Sequence, residues 1–121
     1  MSAFNKPSQT YLKFLSIVGA LREVPAFGVL EPIEERLLNV FAAVWHSGKQ
    51  LTVLQAMQLD PDISSATVHR RLKTLALKGF IAFEQDIRDH RIKYLAPTDL
   101  SVQYFSQLGE ALRKATKHSQ T

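Results

Sequence analysis

Apolar positions recur along the chain with a period that changes from region to region. Tyr11, Phe14, Leu15, Val18 and Leu21 follow one another at steps of three and four, with Leu12 and Ile17 widening the stripe. That spacing predicts a helix over 9–22, capped by Ser8, and its breadth predicts packing on more than one side. Pro25 and Gly28 interrupt the pattern, so 24–31 reads as a connection. Pro32 stands where the first turn of a helix tolerates a missing N–H. Glu34 and Glu35 follow, well placed against the positive end of the helix dipole. Ile33, Leu37, Val40, Phe41 and Val44 form the buried stripe of this second helix, and Gly48 stops it. Trp45 and His46, near its end, suggest no chemistry.

After Gly48 the periods shorten. Residues 49–51 are a candidate strand that pairs later with a hairpin. Thr52 and Gln55 have the spacing of a capping box. Val53, Leu54, Met57 and Leu59 supply the apolar contacts of a short helix ending near Leu59, where Asp60-Pro61 turns the chain. Ser64 or Ser65 caps the next helix, which runs to Lys78 and stops at Gly79. Val68, Leu72, Leu75 and Ala76 define its buried face. At about 100° per residue, the opposite face carries Ala66, Thr67, Arg70, Lys73 and Thr74, with His69 and Arg71 on the flanks. Phe80, Ile81 and Phe83, then Ile92, Tyr94 and Leu95, read as two strands around a charged tip at 86–91. A last helix over 98–117, capped by Thr98 or Asp99, bears Leu100, Tyr104, Phe105, Leu108, Leu112 and Ala115 on one stripe. Lys114 and Lys117 complement its dipole, and 118–121 is expected to fray.

Helix, turn, basic helix and charged hairpin, in that order, predict a winged helix-turn-helix: mainly α with a small β-hairpin wing. The expected organisation is a single domain over 1–121, with an N-terminal helix at 8–23, a winged helix-turn-helix core at 32–97 and a C-terminal helix at 98–117. The apolar N- and C-terminal helices are expected to form a dimer interface.

Composition narrows the picture. A chain of 121 residues with 45% hydrophobic content is one domain able to bury a core. The absence of cysteine removes disulfides, thiolate zinc sites and a cysteine nucleophile, and fits a reducing compartment. Lys13 interrupts the N-terminal apolar patch and Arg22-Glu23 close it. No signal peptide or membrane span is therefore expected, and the protein reads as soluble and cytoplasmic. Catalysis finds no support: there is no glycine-rich phosphate loop, no GxSxG and no HExxH. His46, His69, His90 and His118 are scattered, and no acidic pair stands out. Neither metal nor cofactor is called for.

Charge points to a polyanionic partner. The formal net charge is +4, and its distribution says more than the total. Residues 64–78 carry Arg70, Arg71, Lys73 and Lys78 and no acid. A helix about 10–12 Å across fits the major groove of B-DNA. There Arg70 can pair bidentately with guanine O6 and N7, and Thr67 can meet a phosphate or a thymine methyl. Ser64 and Ser65 can bond phosphate at the helix start. Lys73 and Arg71 suit phosphates, while His69 and Thr74 border the same surface. The alternative is a plain solvated helix face, against which the hairpin weighs. Arg88 at its tip can enter the minor groove, deepest in negative potential where A·T-rich. Asp86, two residues earlier, can hold the Arg88 guanidinium in a bidentate pair. His90 and Arg91 are placed for the DNA backbone. A hairpin turn with solvated charges is the alternative there.

The run 65–95, with Asp86-Ile87-Arg88-Asp89-His90-Arg91-Ile92-Lys93-Tyr94-Leu95 at its centre, resembles the winged helix of MarR-type transcriptional regulators. That family's wing carries a similar Asp-x-Arg-Asp-x-Arg pattern, then an apolar strand and a threonine near the next helix, here Thr98. Ser65-Ala66-Thr67-Val68-His69-Arg70 resembles its recognition-helix start, and Lys78-Gly79-Phe80-Ile81 its exit into the wing. The resemblance covers roughly 32–98. It implies a dimeric, sequence-specific regulator with the recognition helix in the major groove, Arg88 in the minor groove and Asp86 as the partner of Arg88. Outside that region the chain departs from the pattern. Family members usually follow the wing with two helices, one of them long, and here only 99–117 remains. The expected partners are double-stranded DNA and a second copy of the chain, with no effector assigned. The rival readings are a winged helix used for protein–protein contact and a phage or plasmid accessory DNA-binding factor. Double-stranded RNA is disfavoured because a helix does not enter its major groove.

Overall fold

Caps and glycine stops set most element boundaries. The computed structural model describes residues 3–24 and 28–119, the last two without their side chains. The elements are α1 (Lys6–Arg22), α2 (Pro32–His46), β1 (Leu51–Thr52), α3 (Val53–Ala56), α4 (Ser65–Leu77), β2 (Ile81–Gln85), β3 (Lys93–Pro97) and α5 (Asp99–Ser119). Pro25, expected to break the first helix, and residues 120–121 of the tail lie outside the described residues. The chain divides into two compact units: Val29–Val102, and the described parts of Met1–Gly28 with Gln103–Thr121.

In the first unit the strands form an antiparallel sheet of order β1-β3-β2, with Leu51 and Phe83 both opposite Leu95. The short stretch after Gly48 does pair with the returning strand, at Leu51 and Thr52. Leu37, Leu38, Phe41, Leu51, Ala56, Val68, Leu72, Leu75, Phe80, Ile81 and Leu95 are buried and form the core. Burying each large aliphatic or aromatic side chain is worth about 1.5–3 kcal/mol.

The face that α2 turns inward differs from the one expected. It runs through Glu34, Leu37, Leu38 and Phe41, at steps of three, one and three, while Val40 and Val44 are only half-buried. A carboxylate therefore holds the first position of a buried stripe, where a reading of apolar residues could not see it. Trp45 continues the same face. Its Nε1 donates to the Leu95 carbonyl at 3.0 Å, tying α2 to the central strand.

Thr52 and Gln55 make the capping box, with Gln55 N donating to Thr52 Oγ1 at 3.1 Å and Thr52 N to Gln55 Oε1 at 2.9 Å. The helix it opens is a single turn that ends at Ala56, not near Leu59. One turn presents few side chains to the core, so Ala56 is buried while Leu54 points outward. Ser64 caps α4, accepting from Thr67 N at 3.2 Å. At the other end Phe80 N donates to Leu75 O and Gly79 N to Ala76 O, both at 3.0 Å. This is a Schellman stop, and it needs the left-handed Gly79, φ +88°. Thr98 Oγ1 donates to the Gly79 carbonyl at 2.6 Å and accepts from Ser101 N at 3.2 Å. One hydroxyl thus joins the exit of α4 to the start of α5.

The second unit contains α1 and most of α5. Asn5, not Ser8, caps α1: its Oδ1 accepts from Ser8 N at 3.0 Å. Pro7 has no N–H to satisfy in that first turn, and the helix begins at Lys6, three residues before the expected start at residue 9. No residue of α1 is buried, and Tyr11 and Phe14, with ring centres 6.2 Å apart, are 58% and 55% exposed. Among the described residues no helix is long and apolar enough to cross a membrane.

Candidate nucleic-acid interface

Basic residues of α4 meet two different surroundings. On the side facing α2, Arg71 pairs through Nη1 with Glu31. Lys78 Nζ reaches Glu34 Oε1 at 2.5 Å and the Val29 carbonyl at 2.9 Å, and Thr74 Oγ1 donates to Glu34 Oε2 at 2.8 Å. The Glu31 N–H completes the shell around Glu34 at 2.9 Å. Burial alone would push the Glu34 carboxyl up. The bonds from Lys78, the Glu31 N–H and Thr74, with the charge of Lys78, outweigh it and hold the carboxyl below its ordinary value.

The other side of α4 has no such neutralisation. His69, Arg70 and Lys73 are exposed, and none makes a hydrogen bond or ion pair to another described residue. A hollow of about 230 Å³ lies between this side and the wing, lined by Val53, His69, Leu72, Lys73, Phe83 and Lys93. The basic face of α4 and the outer face of the sheet therefore border one surface. Lys93, which the sequence reading did not single out, adds a cation to it. A second hollow shares Val53 and Lys93 and is bordered by Arg91. Ser65 bonds inward, donating to the Met57 carbonyl at 3.4 Å, and Thr67 is half-buried with its hydroxyl 2.9 Å from that of Ser64.

Preceding α4, Asp60 is buried in the turn and takes both Arg36 Nε (2.7 Å) and Nη2 (3.0 Å). Arg36 holds the Asp60 carboxyl below its usual range. The turn that aims α4 is thus anchored to α2 by a two-bond ion pair, not by proline stiffness alone.

At the wing tip the partnership expected for Asp86 is different. Its Oδ1 accepts from the backbone N–H groups of Arg88 (2.8 Å) and Asp89 (2.9 Å), and its Oδ2 accepts from the Tyr94 hydroxyl (2.9 Å). The Arg88 guanidinium is not bound by it. An aspartate two residues before an N–H closes a local ring more readily than it reaches a long side chain. The Asp89 and Arg88 N–H groups and Tyr94 hold Asp86 below the ordinary carboxylate value, and Asp86 in turn pushes the Tyr94 hydroxyl up. The bidentate pair at the tip is Asp89 with Arg91, both bonds 3.0 Å. Arg88 and His90 are exposed, and the Arg88 side chain has no partner among the described residues.

Of the sequence-predicted site residues, the structure leaves His69, Arg70, Lys73, Arg88 and His90 with outward side chains free of hydrogen bonds. Arg71, Thr74, Asp86 and Arg91 are tied within the chain, as are Ser64, Ser65 and Thr67. Among the described residues no three histidine or acidic side chains come together to hold a metal.

A short helix, an anchored turn, an exposed basic helix and a two-stranded wing within one unit define a winged helix-turn-helix. Compared by sequence, the chain matches no family model and no curated protein. Solved structures do resemble it. The transcriptional regulator Tm0710 from Thermotoga maritima superposes with a TM-score of 0.69 at 17% identity, covering 94% of this chain and 78% of that one. A mutant MepR of S. aureus bound to an oligodeoxyribonucleotide gives 0.73 at 15% identity, covering 95% and 81%. PefR from Streptococcus agalactiae in complex with heme gives 0.57 at 22% identity, covering 92% and 76%. The likeness is one of fold: the chain has the winged-helix architecture of MarR-type regulators, which the wing pattern anticipated.

Proposed function

We propose that the chain is a transcriptional regulator that binds duplex DNA sequence-specifically, with α4 in the major groove and the wing in the minor groove. One observation carries this reading. Of the basic residues at α4, Arg70 and Lys73 have no partner among the described residues, and Lys73 shares the hollow beside the wing with Lys93, whereas Arg71 and Lys78 are neutralised against α2. Arg70 is the base reader, Lys73, Lys93 and His69 contact phosphates, and Arg88 reaches the minor groove. The oligonucleotide bound to the MepR mutant of the same fold supports this partner. The working form is a homodimer, in which a second copy covers the apolar side of α1 that the chain itself leaves exposed.

Selection of bound sequences from a random duplex pool, combined with sedimentation, tests the reading. The expected result is a palindrome with half-sites about one helical turn apart, bound by a dimer, with affinity that falls steeply with salt. A protein that enriches no sequence and shows no salt dependence on any duplex overturns it, in favour of a protein-binding winged helix.

A further inference from the structure

The wing tip holds an apolar side chain where turn chemistry calls for a polar one. Ile87 is 93% exposed, more than any other large apolar residue described. Hairpin tips favour glycine, asparagine and aspartate, and a β-branched residue gains nothing there from the turn itself. Scattered exposed aliphatics are ordinary on a surface, but this one stands on an unusually well-tied support. One Asp86 oxygen accepts from the N–H groups of Arg88 and Asp89, and the other accepts from the Tyr94 hydroxyl. Asp86 N donates to Ile92 O at 2.9 Å, Ile92 N to Asp89 O at 3.0 Å, and Gln85 Nε2 to His90 O at 2.7 Å. Asp89 and Arg91 are paired with each other. This leaves Ile87 and Arg88 as neighbouring outward side chains on a preorganised tip. Both border one hollow of about 280 Å³ with Gln50, Glu84, Asp86 and Tyr94.

We propose that Ile87 is an apolar wedge: when Arg88 enters the minor groove, Ile87 inserts at a base step, partly unstacks it and bends the duplex toward the major groove. The inference rests on the DNA-binding reading above. Aliphatic side chains used in this way open a step and kink the helix, and the rigid support matters because a loose tip would yield before the bases did. Pyrimidine–purine steps unstack most readily, so such a step is expected under each wing even though no side chain reads its base edges.

The test uses the full chain on a duplex it selects, with 2-aminopurine placed in turn along the site and dyes at the two ends. Wild type should raise 2-aminopurine fluorescence at one step per half-site and bring the ends closer. Ile87→Val should keep both signals. Ile87→Ala should lose both and bind about fivefold more weakly, while retaining the Arg70-dependent base preference and an unchanged melting temperature. Ile87→Asp should weaken binding further. A wild-type complex on straight, fully stacked DNA overturns the wedge, as does an Ile87→Ala complex that bends and unstacks like wild type; in both cases the DNA-binding reading survives. If wild type binds no duplex, both fall together.

Discussion

The seam between α4 and α2 and the face between α4 and the wing are both lined by cations of the same helix, yet they are built in opposite ways. In the seam, Lys78 and Arg71 meet Glu34 and Glu31, and the Glu34 carboxylate is fully buried. On the face, Arg70 and Lys73 pair with no acid among the described residues, and Lys93 lines a hollow together with Lys73. The difference teaches how one helix serves two ends. Charge taken out of water has to be compensated inside the fold, so the seam's carboxylates hold the helix in position. Charge left in water keeps its long-range attraction for phosphate, so the face stays available. A uniformly basic helix in sequence is thus divided, in the fold, into an anchoring edge and an open edge, the one proposed to read DNA.

The comparison breaks most visibly at Glu34. Replacing it with alanine removes the buried acceptor shared by Lys78 and Thr74, leaving Lys78 the Val29 carbonyl and Thr74 the Arg71 carbonyl, and the expected loss is about 3 kcal/mol of stability, read as a shift in the urea midpoint. Glu34, Asp60 and Asp86 are all held below their ordinary values in the folded chain. Over the pH window between folded and ordinary values the unfolded chain therefore binds more protons. Their contribution is full at neutral pH and is lost as pH falls below about 4. Glu34→Gln should flatten that acid limb, and an unchanged pH profile would remove Glu34 from this role.

On the open edge the effects should reverse. Arg70→Ala is expected to weaken specific binding about tenfold or more and relax preference at one base position, with no change in melting temperature. A variant that loses stability, or keeps the wild-type binding profile, would count against the division. Arg88→Ala should have a smaller effect, greatest on sites with A·T-rich flanks; equal losses on G·C-rich flanks would defeat the minor-groove assignment. The smallest change is Glu31→Gln, which releases Arg71 from the seam. If the two edges differ only in their acids, the freed guanidinium should find a phosphate and steepen the log–log salt dependence by about 0.9. An unaltered slope would mean that Arg71 is held by more than its ion pair.

Much of this was open to a reading of periods and caps. The Thr52–Gln55 box and the Gly79 stop depend on neighbours within five residues, and the buried face of α4 and the two strands of the wing show in the repeat of their own apolar side chains. Such short-range interactions leave their spacing in the sequence. Reading failed where partners lie far apart. Glu34 looked like a dipole-facing acid because its contacts with Thr74 and Lys78 are 40 and 44 residues away. Trp45 suggested nothing because its acceptor is 50 residues on. Asp86 failed differently. Its bonds are local, but two backbone N–H groups and a hydroxyl competed with a side chain for the same oxygens, and spacing does not rank competitors.

What the linear order determined by itself was the set of elements, their boundaries to within a few residues, and the excess of positive charge on one helix and one hairpin. Folding decided which of those charges remain available. Helical periodicity assigns a residue to a face, but only packing determines whether that face meets a carboxylate, a carbonyl or water. In water a cation can attract DNA; beside Glu34 it can only hold the helix in place.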